Sequence, residues 1–543
     1  MKKLQFYEKY MIKKKLSSLK TRSSLKGIQL ESILLPAIPI AIALWVWFSS
    51  LAFVPVPWPD DSAFYFVAKE FFKWPPRWVM LPQAPFEPTY SIFNFNTMPF
   101  YPILIGLGRW IGLDGSFLLK FWPLSAWAMS GAWMVSVLYK KGLSFLVCIL
   151  WALLFSLDPE MRWASTLIRP ESCIGLIGIL LVLGLTLGFP KRLEPTRFWD
   201  PVAALLAIAA YFHFNAIHLL APVIVAYFFK PRRLLQIGAK TALYLSPWIF
   251  FVLFHWKLFV VQMTLQWSRL SVPNIWLSSF PQAIESLFQQ LGNPEPWNPI
   301  IHWASLGMWL ILFLAFFCAF IPALIPSIAW IGGALWLWHT KPEVWFMYYC
   351  HLAIWCFVGL LLLQIKSKTS VLILMSSFLL GITAIFGYVD VQQAIHMSST
   401  KSWNWATYDA YIQCIDQELT LLEKKLGGDK PFRVWNPTFP DVTIELSRRH
   451  PNWEFTRTND FSNRVDLALR HGWETEAVVV TETLNWTERN ISEKAENVPE
   501  ITSIWMNWEP YFLNRFLKAK TWKPHRFVCQ RGRWQAFLYM VKE

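Results

Sequence analysis

"ILLPAIPIAIALWVWFSSLAFV", Ile33 to Val54, is an apolar run about as long as one bilayer crossing, and "PVPWPDDSAFYFVAKEFF", residues 55 to 72, follows it at once. The first run lacks the short apolar core and small-residue cleavage site of a removable signal peptide, so it reads as an anchor that stays. The second sets two adjacent carboxylates, Asp60 and Asp61, where the chain leaves the apolar phase. The rest of the chain can be read outward from that junction.

The chain has 543 residues, 55% of them hydrophobic, 17% aromatic and only 16% charged, with 34 Trp. Long apolar stretches recur through the first two thirds, which is the composition of a polytopic membrane protein. A window of about 20 residues places further spans near 117–138, 142–157, 172–189, 200–213, 216–229, 238–256, 302–319, 323–338, 345–364 and 369–389, about eleven in all. The tail ahead of the first span carries Lys2, Lys3, Lys9, Lys13, Lys14, Lys15, Lys20, Arg22 and Lys26, so the positive-inside rule keeps it cytoplasmic. Alternating the spans from there puts Lys140 and Lys141, "PKRLEPTR" (190–197), "KPRR" (230–233) and "KSK" (366–368) on the same inner side. The formal net charge of +15 sits largely in the tail and these loops, so membrane topology accounts for it and no nucleic acid is expected.

The same alternation gathers three polar features on the outer side: "WPDDSAFYFVAKEFF" after the first span, "DPEMRWASTLIRPES" (158–172) after the third, and "WHTKPEVWFMYYCH" (338–351) before the tenth. A long loop, about 257–301, joins them. Charged side chains cost roughly 2.5–3.5 kcal/mol each at the bilayer centre, so clusters at helix ends sit in water or line a wet cavity. Their shared side favours a site over separate solvated loops.

These residues resemble a family. "DDSAFYFVAKEF" looks like the first outer-loop motif of the GT-C class of lipid-dependent glycosyltransferases, the group of the protein mannosyltransferases and aminoarabinose transferases, with Asp60, Asp61, Phe64 and Ala68 at the motif's positions. "FNTMPFYPILIGLGRWIG" (95–112) is similar to the family's re-entrant Pro-rich segment through Pro99, Tyr101, Pro102 and Gly112. "IRPESCIGLIGILLVLGL" (168–185) resembles the Arg-Pro-acid start of the fourth span, and "SPWIFFVLFHWKLF" (246–259) the Pro-Trp outer half of the seventh. The likeness runs over roughly residues 30 to 390, and its force lies in the order and common sidedness of the motifs.

The resemblance implies an inverting transfer from a polyprenyl-phosphate sugar, in which Asp60 is the base that takes the proton of an acceptor hydroxyl. Asp61 beside it helps repel or orient, and two carboxylates this close raise one of the paired pKa values. A polyprenyl phosphate leaves as a stable anion, so a glycosidase-like second carboxylate acting as general acid is not required. Arg169 matches the Arg-Pro-acid motif and Arg269 lies in the long outer loop where relatives carry a phosphate-binding Arg; a guanidinium fork suits a phosphate. The alternative for Arg169 is snorkelling or pairing with Glu171, which is itself a candidate second carboxylate. Some relatives carry Lys or His two residues before the Pro at position 99, where this chain has Thr97, so its phosphate grip or its substrate differs. The helix after the acidic pair, Ser62 to Lys73, shows Phe64, Val67, Ala68, Phe71 and Phe72 on one face, as an interfacial helix would.

No Walker loop, HExxH or CxxC occurs, and "GLGRWIG" (106–112) has the wrong spacing for a dinucleotide fingerprint. His213 and His218 stand where two spans meet at the outer face; His213 is a candidate acceptor contact, and a capped helix junction is the competing reading. His339 and His351 flank the loop "TKPEVW" and with an acid could bind a divalent metal, although no tight ligand spacing supports it and no cofactor is certain.

After Asp390 the composition becomes that of a soluble α/β domain. An amphipathic helix over 403–428 leads to strand-like runs at 432–435, 453–457 and 477–482 separated by helical patterns at 440–450 and 461–472, and the end, 525–542, reads as a hairpin turning at Gly532. A lid, an acceptor-docking module and a plain stabilising domain are all open for it. Of seven cysteines, only Cys414 and Cys529 fall outside the apolar part, and an oxidising compartment would allow a disulfide between them; two separate buried thiols are the alternative.

The expectation is therefore an α-helical polytopic membrane protein of about eleven transmembrane helices, GT-C-like, with a C-terminal α/β soluble domain. Its parts are a basic cytoplasmic tail (1–31), a transmembrane domain (32–390) with outer loops 55–98, 158–171, 257–301 and 339–344, and an extracytoplasmic domain (391–543). Its expected partners are the membrane, a polyprenyl-phosphate-sugar donor and a lipid, glycan or protein acceptor, in the plasma or inner membrane. The other class in play is a transporter or lipid-handling protein without transferase chemistry, against which stands the gathering of charges at one face rather than at the midplane.

Overall fold

The computed structural model describes residues 30–52, 59–79, 94–95, 97–269, 321–340, 344–399, 405–426, 431–436, 442–457, 477–483, 522–531 and 534–541. Helix α1 (Leu30–Ala52) covers the first apolar run, with Pro36 and Pro39 inside it. Helix α2 (Pro59–Phe71) opens on a proline, whose fixed φ suits the first helical position, and has both carboxylates in its electropositive first turn. Then come α3 (Phe100–Trp110), α4 (Phe121–Lys140), α5 (Phe145–Ser156), the short α6 (Pro159–Ala164), α7 (Glu171–Leu187), α8 (Pro201–Phe212) and α9 (Leu220–Ala226). Helices α10 (Pro231–Tyr244) and α11 (Ser246–Phe254) meet at a 62° bend, and α12 (Trp256–Arg269), α13 (Ile325–Thr340), α14 (Val344–Ile365) and α15 (Thr369–Ser399) follow.

Most expected spans coincide with a helix; 216–229 is instead the 3-10 turn Phe214–Leu219 followed by the short α9, 238–256 is divided between α10 and α11, and 302–319 lies outside the described residues. Among the described residues, however, only Leu30–Ser49 and Phe346–Ile365 are long and apolar enough to cross a membrane on their own, and the bent α10–α11 pair makes a third if it is one span. Most of the others are apolar but short, and α4 has the length while its Trp, Ser and Pro residues dilute its hydropathy. The span expected over 238–256 is broken at Leu245, just before Pro247, whose ring clashes with the preceding turn and which has no N–H to donate. The span expected over 117–138 starts at Phe121, so Lys120 stands ahead of it in a 3-10 turn, Leu118–Lys120. The expected domain boundary at 390 falls within the continuous helix α15.

The main core is built around α14, whose apolar window is wholly buried, whereas only 22% of that of α1 is. Trp127, Trp151, Trp330 and Trp355 are among the largest enclosed side chains, and the Trp151 indole donates to the Trp355 carbonyl at 3.0 Å. On the outside of α1, Leu34, Ile40, Leu44, Trp45 and Phe48 are exposed, a face that suits lipid because the helix satisfies its own backbone. Close approach is admitted by small residues: a Cβ on Gly175 of α7 would lie 2.4 Å from Leu352 Cδ2 and 2.7 Å from Tyr348 Cε1 of α14.

The C-terminal part begins with α16 (Trp405–Leu426) and continues through β1 (Arg433–Asn436), α17 (Thr443–Arg449), β2 (Glu454–Arg457), β3 (Ala477–Thr483), β4 (Trp522–Arg531) and β5 (Trp534–Val541). The sheet order is β2-β1-β3-β5-β4; β1 runs parallel to β2 and β3, and β5 antiparallel to β3 and β4. The helical pattern at 461–472 and Gly532 lie outside the described residues. A disulfide joins Cys414 of α16 to Cys529 of β4 across a sequence separation of 115.

A second core binds this domain to the helical part. It joins Phe64, Tyr65, Phe66 and Ala68 of α2, Tyr101 and Ile105 of α3, and Ile168 to Tyr408, Tyr411, Ile412 and Ile415 of α16 and Ile444 and Leu446 of α17. Helix α2 is consequently buried on both faces along most of its length, where one apolar face was expected. The second face is covered because the C-terminal domain, invisible to the local pattern, packs on it.

Candidate functional site

Four separated stretches converge beside α2. Asp61, on its first turn, is 1% exposed. Tyr101, buried on α3, lies within electrostatic reach of Asp61, Glu171, Arg169 and Cys173. Arg169 and Glu171 flank Pro170 at the start of α7, where the helix N-terminus favours the acid. Their side chains form a buried bidentate pair, with Arg169 Nη2 donating to Glu171 Oε1 at 3.0 Å and Arg169 Nε to Oε1 and Oε2 at 3.2 and 3.3 Å. Tyr349 of α14 lies within electrostatic reach of the same pair. Neither the Tyr101 nor the Tyr349 hydroxyl has a hydrogen-bond partner among the described residues.

Lys120 approaches from the 3-10 turn ahead of α4. It is 4% exposed, and burial draws its ammonium down to about 7 against the upward pull of two carboxylates, Asp61 and Glu445. Glu445 comes from α17 of the C-terminal domain: its Oε1 accepts from Ser116 N at 2.8 Å and Ser116 Oγ at 2.6 Å. Lys69, also buried, donates to the Ser447 carbonyl at 3.2 Å and is drawn down to about 8 by burial and by Lys73 and Arg109. Lys120 and Glu445 were missed by sequence reasoning. The one signal for Lys120 is a lone charge inside an apolar run; for Glu445 there is none.

The other predicted residues lie as follows. Asp60 is on the first turn of α2, Arg269 is the last residue of α12 and His339 is in the last turn of α13; the side chains of all three lie outside the described ones. His213 caps the 3-10 turn Phe214–Leu219, its Nδ1 accepting from Asn215 N at 3.1 Å, with its ring edge-on to Phe64 at 6.5 Å. His351 pairs with an acid outside the predicted set: its Nδ1 lies 2.7 Å from Asp158 Oδ2, which also accepts from Trp355 Nε1 at 2.7 Å. Burial opposes the Asp158 carboxylate, yet His351, the Met161 amide and the Trp355 indole hold its pKa below the usual value. Among the described residues, no group of three or more His, Cys, Asp or Glu is arranged to hold a metal ion.

No protein-family model matches the chain, and neither does any curated protein. Among solved structures it is similar to the crystal structure of ArnT from Cupriavidus metallidurans bound to undecaprenyl phosphate, at 12% identity and a TM-score of 0.49, over 92% of this chain and 97% of that one.

Proposed function

We propose that the chain is an inverting glycosyltransferase of GT-C type, moving a sugar from a polyprenyl-phosphate donor to a lipid, glycan or protein acceptor at the outer membrane face. The reading is carried by one observation: residues from motifs separate in sequence, Asp61, Tyr101, Arg169 and Glu171, gather with Tyr349 in a buried polar cluster whose two tyrosine hydroxyls have no hydrogen-bond partner among the described residues. An unsatisfied buried hydroxyl costs about 1–3 kcal/mol, and a polar substrate that bonds to it relieves that cost.

In this mechanism Asp60 takes the proton from the acceptor hydroxyl as its oxygen attacks the anomeric carbon. The bond from that carbon to the phosphate oxygen breaks, and its electron pair leaves with the polyprenyl phosphate. Asp61, buried on the first turn of α2 within electrostatic reach of Lys120, helps orient Asp60 on the same turn. The leaving phosphate is met by Arg269 and by Arg169, the latter sharing its fork with Glu171. Mass spectrometry of polyprenyl-phosphate sugars and envelope glycans in a strain lacking the chain tests the reading. Accumulation of one lipid-linked sugar together with loss of one glycan is expected, and unchanged pools of both contradict it.

A further inference from the structure

The loop 190–200 is bonded along most of α10. Lys240 Nζ donates to the Thr196 carbonyl at 2.7 Å and to the Trp199 carbonyl at 3.3 Å. The Tyr244 hydroxyl donates to the Phe198 carbonyl at 2.7 Å and accepts from Asp200 N at 3.2 Å, while Arg233 Nη1 meets Asp200 Oδ2 at 2.7 Å. Arg233 and Tyr244 stand about 16 Å apart along the helix axis. A loop with Lys191, Arg192, Glu194 and Arg197 exposed cannot follow a helix that far into hydrocarbon. The 62° bend between α10 and α11 is where the chain changes direction. Away from the loop, Leu235, Ala239, Ala242 and Leu243 form an exposed apolar stripe at helical spacing. Lys191, Arg192, Arg197, Lys230 and Arg232 are exposed and have no ion-pair partner among the described residues; Arg197 lies over the ring of its neighbour Phe198, 5.3 Å from the centroid. Between residues 188 and 256 the acids are Glu194 and Asp200, and Asp200 is taken up by Arg233. Phe198, Trp199, Phe228 and Phe229 are exposed next to these cations in the chain, Phe229 by 92%.

We propose that α10 lies in the plane of the membrane interface and that, with the loop 190–200, it binds the headgroups of anionic phospholipids. The apolar stripe sinks toward the acyl chains, the aromatic rings sit at the headgroup level and the unpaired cations face the lipid phosphates. Charge sidedness alone asks only for basic residues in a loop. Here the bonds from Arg233, Lys240 and Tyr244 tie the loop to the helix, so the cations of both belong to one surface. A soluble acidic partner would meet the same charges and leave Phe229, Leu235 and Leu243 uncovered, whereas a lipid answers both the charge and the apolar face. The proposal stands on the membrane-embedded reading of the chain and is independent of the transferase chemistry.

Native mass spectrometry of the purified full chain in detergent, titrated with dioleoyl phosphatidylglycerol or dioleoyl phosphatidylcholine, tests the headgroup site. The wild type is expected to hold phosphatidylglycerol at least about tenfold more tightly. Lys230→Gln with Arg232→Gln, and Lys191→Gln with Arg192→Gln, should each weaken phosphatidylglycerol about tenfold or more and leave phosphatidylcholine unchanged. Lys140→Gln with Lys141→Gln removes as much charge from another loop and should leave both lipids unchanged. Equal affinity for the two lipids, or an equal loss in the control pair, overturns the proposal. So does full displacement of phosphatidylglycerol by glycerol phosphate at the same concentration, which would mark a site for a soluble anion. Orientation is read separately, from nitroxide labels on Leu235→Cys and Leu243→Cys in vesicles of the two lipids. Power saturation should place both labels at one depth, and a difference of about 12 Å, that of an upright helix, overturns the proposal.

Discussion

Lys69 and Lys120 show how the chain handles charge at the junction of its two parts. Both are buried, and both sit below the ordinary lysine value of 10.5 in the folded state, Lys69 at about 8. Between about 8 and 10.5 the unfolded chain therefore holds more protons at Lys69 than the folded chain, so this group's contribution to stability rises with pH through that window. Thermal unfolding in detergent should show the wild type gaining on Lys69→Met as the pH is raised from about 8 to about 10; a constant gap would mean that Lys69 is not buried as described. At this scale the sequence was informative where chemistry is local. Arg169, Pro170 and Glu171 read as an Arg-Pro-acid helix start, and the alternative considered for Arg169, pairing with Glu171, is the contact observed. Lys120 was not legible, because a hydropathy window averages a single charge away. Glu445 and the His351–Asp158 pair were not legible either, since their partners lie hundreds of residues distant and nothing local marks them.

The helices themselves were legible from apolar runs, and their breaks were less so. Pro247 was read as part of a Pro-Trp motif within one span, whereas its missing N–H and its ring separate α10 from α11. Of the apolar face read on α2, Phe64, Val67 and Ala68 are buried, Phe71 is half-buried, and Phe72 lies past the helix end and is exposed. Tyr65 and Phe66 on its other side are covered by contacts that periodicity cannot foresee. Helix packing gives a test of the described core. Gly175 faces Leu352 and Tyr348 with no room for a Cβ, while a Cβ on Gly238 of α10 would meet nothing within 4 Å. Gly175→Ala should lower stability by about 1–3 kcal/mol through overpacking, and Gly238→Ala should raise it by up to ~1 kcal/mol through helix propensity. Unfolding midpoints that move alike in the two variants would contradict the packing of α7 on α14.

For the whole molecule, the sequence separated a helical apolar part from an α/β part, and its strands at 432–435, 453–457 and 477–482 are found as β1, β2 and β3. It left open what the second part is for, because a domain's docking face is defined only by what it meets. The structure seats α16 and α17 on α2 and α3 in one continuous core, with Glu445 and Ser447 bonded into the helical part and the Cys414–Cys529 disulfide tying α16 to the sheet. The central claim is that the acidic first turn of α2 performs base-assisted transfer. It is tested most directly by the turnover of purified Asp60→Asn on the lipid-linked sugar that accumulates in a strain lacking the chain. The account predicts loss of transfer by at least about 10²-fold with an unchanged unfolding midpoint, and a milder loss in Asp61→Asn. Near-normal turnover by Asp60→Asn would contradict it.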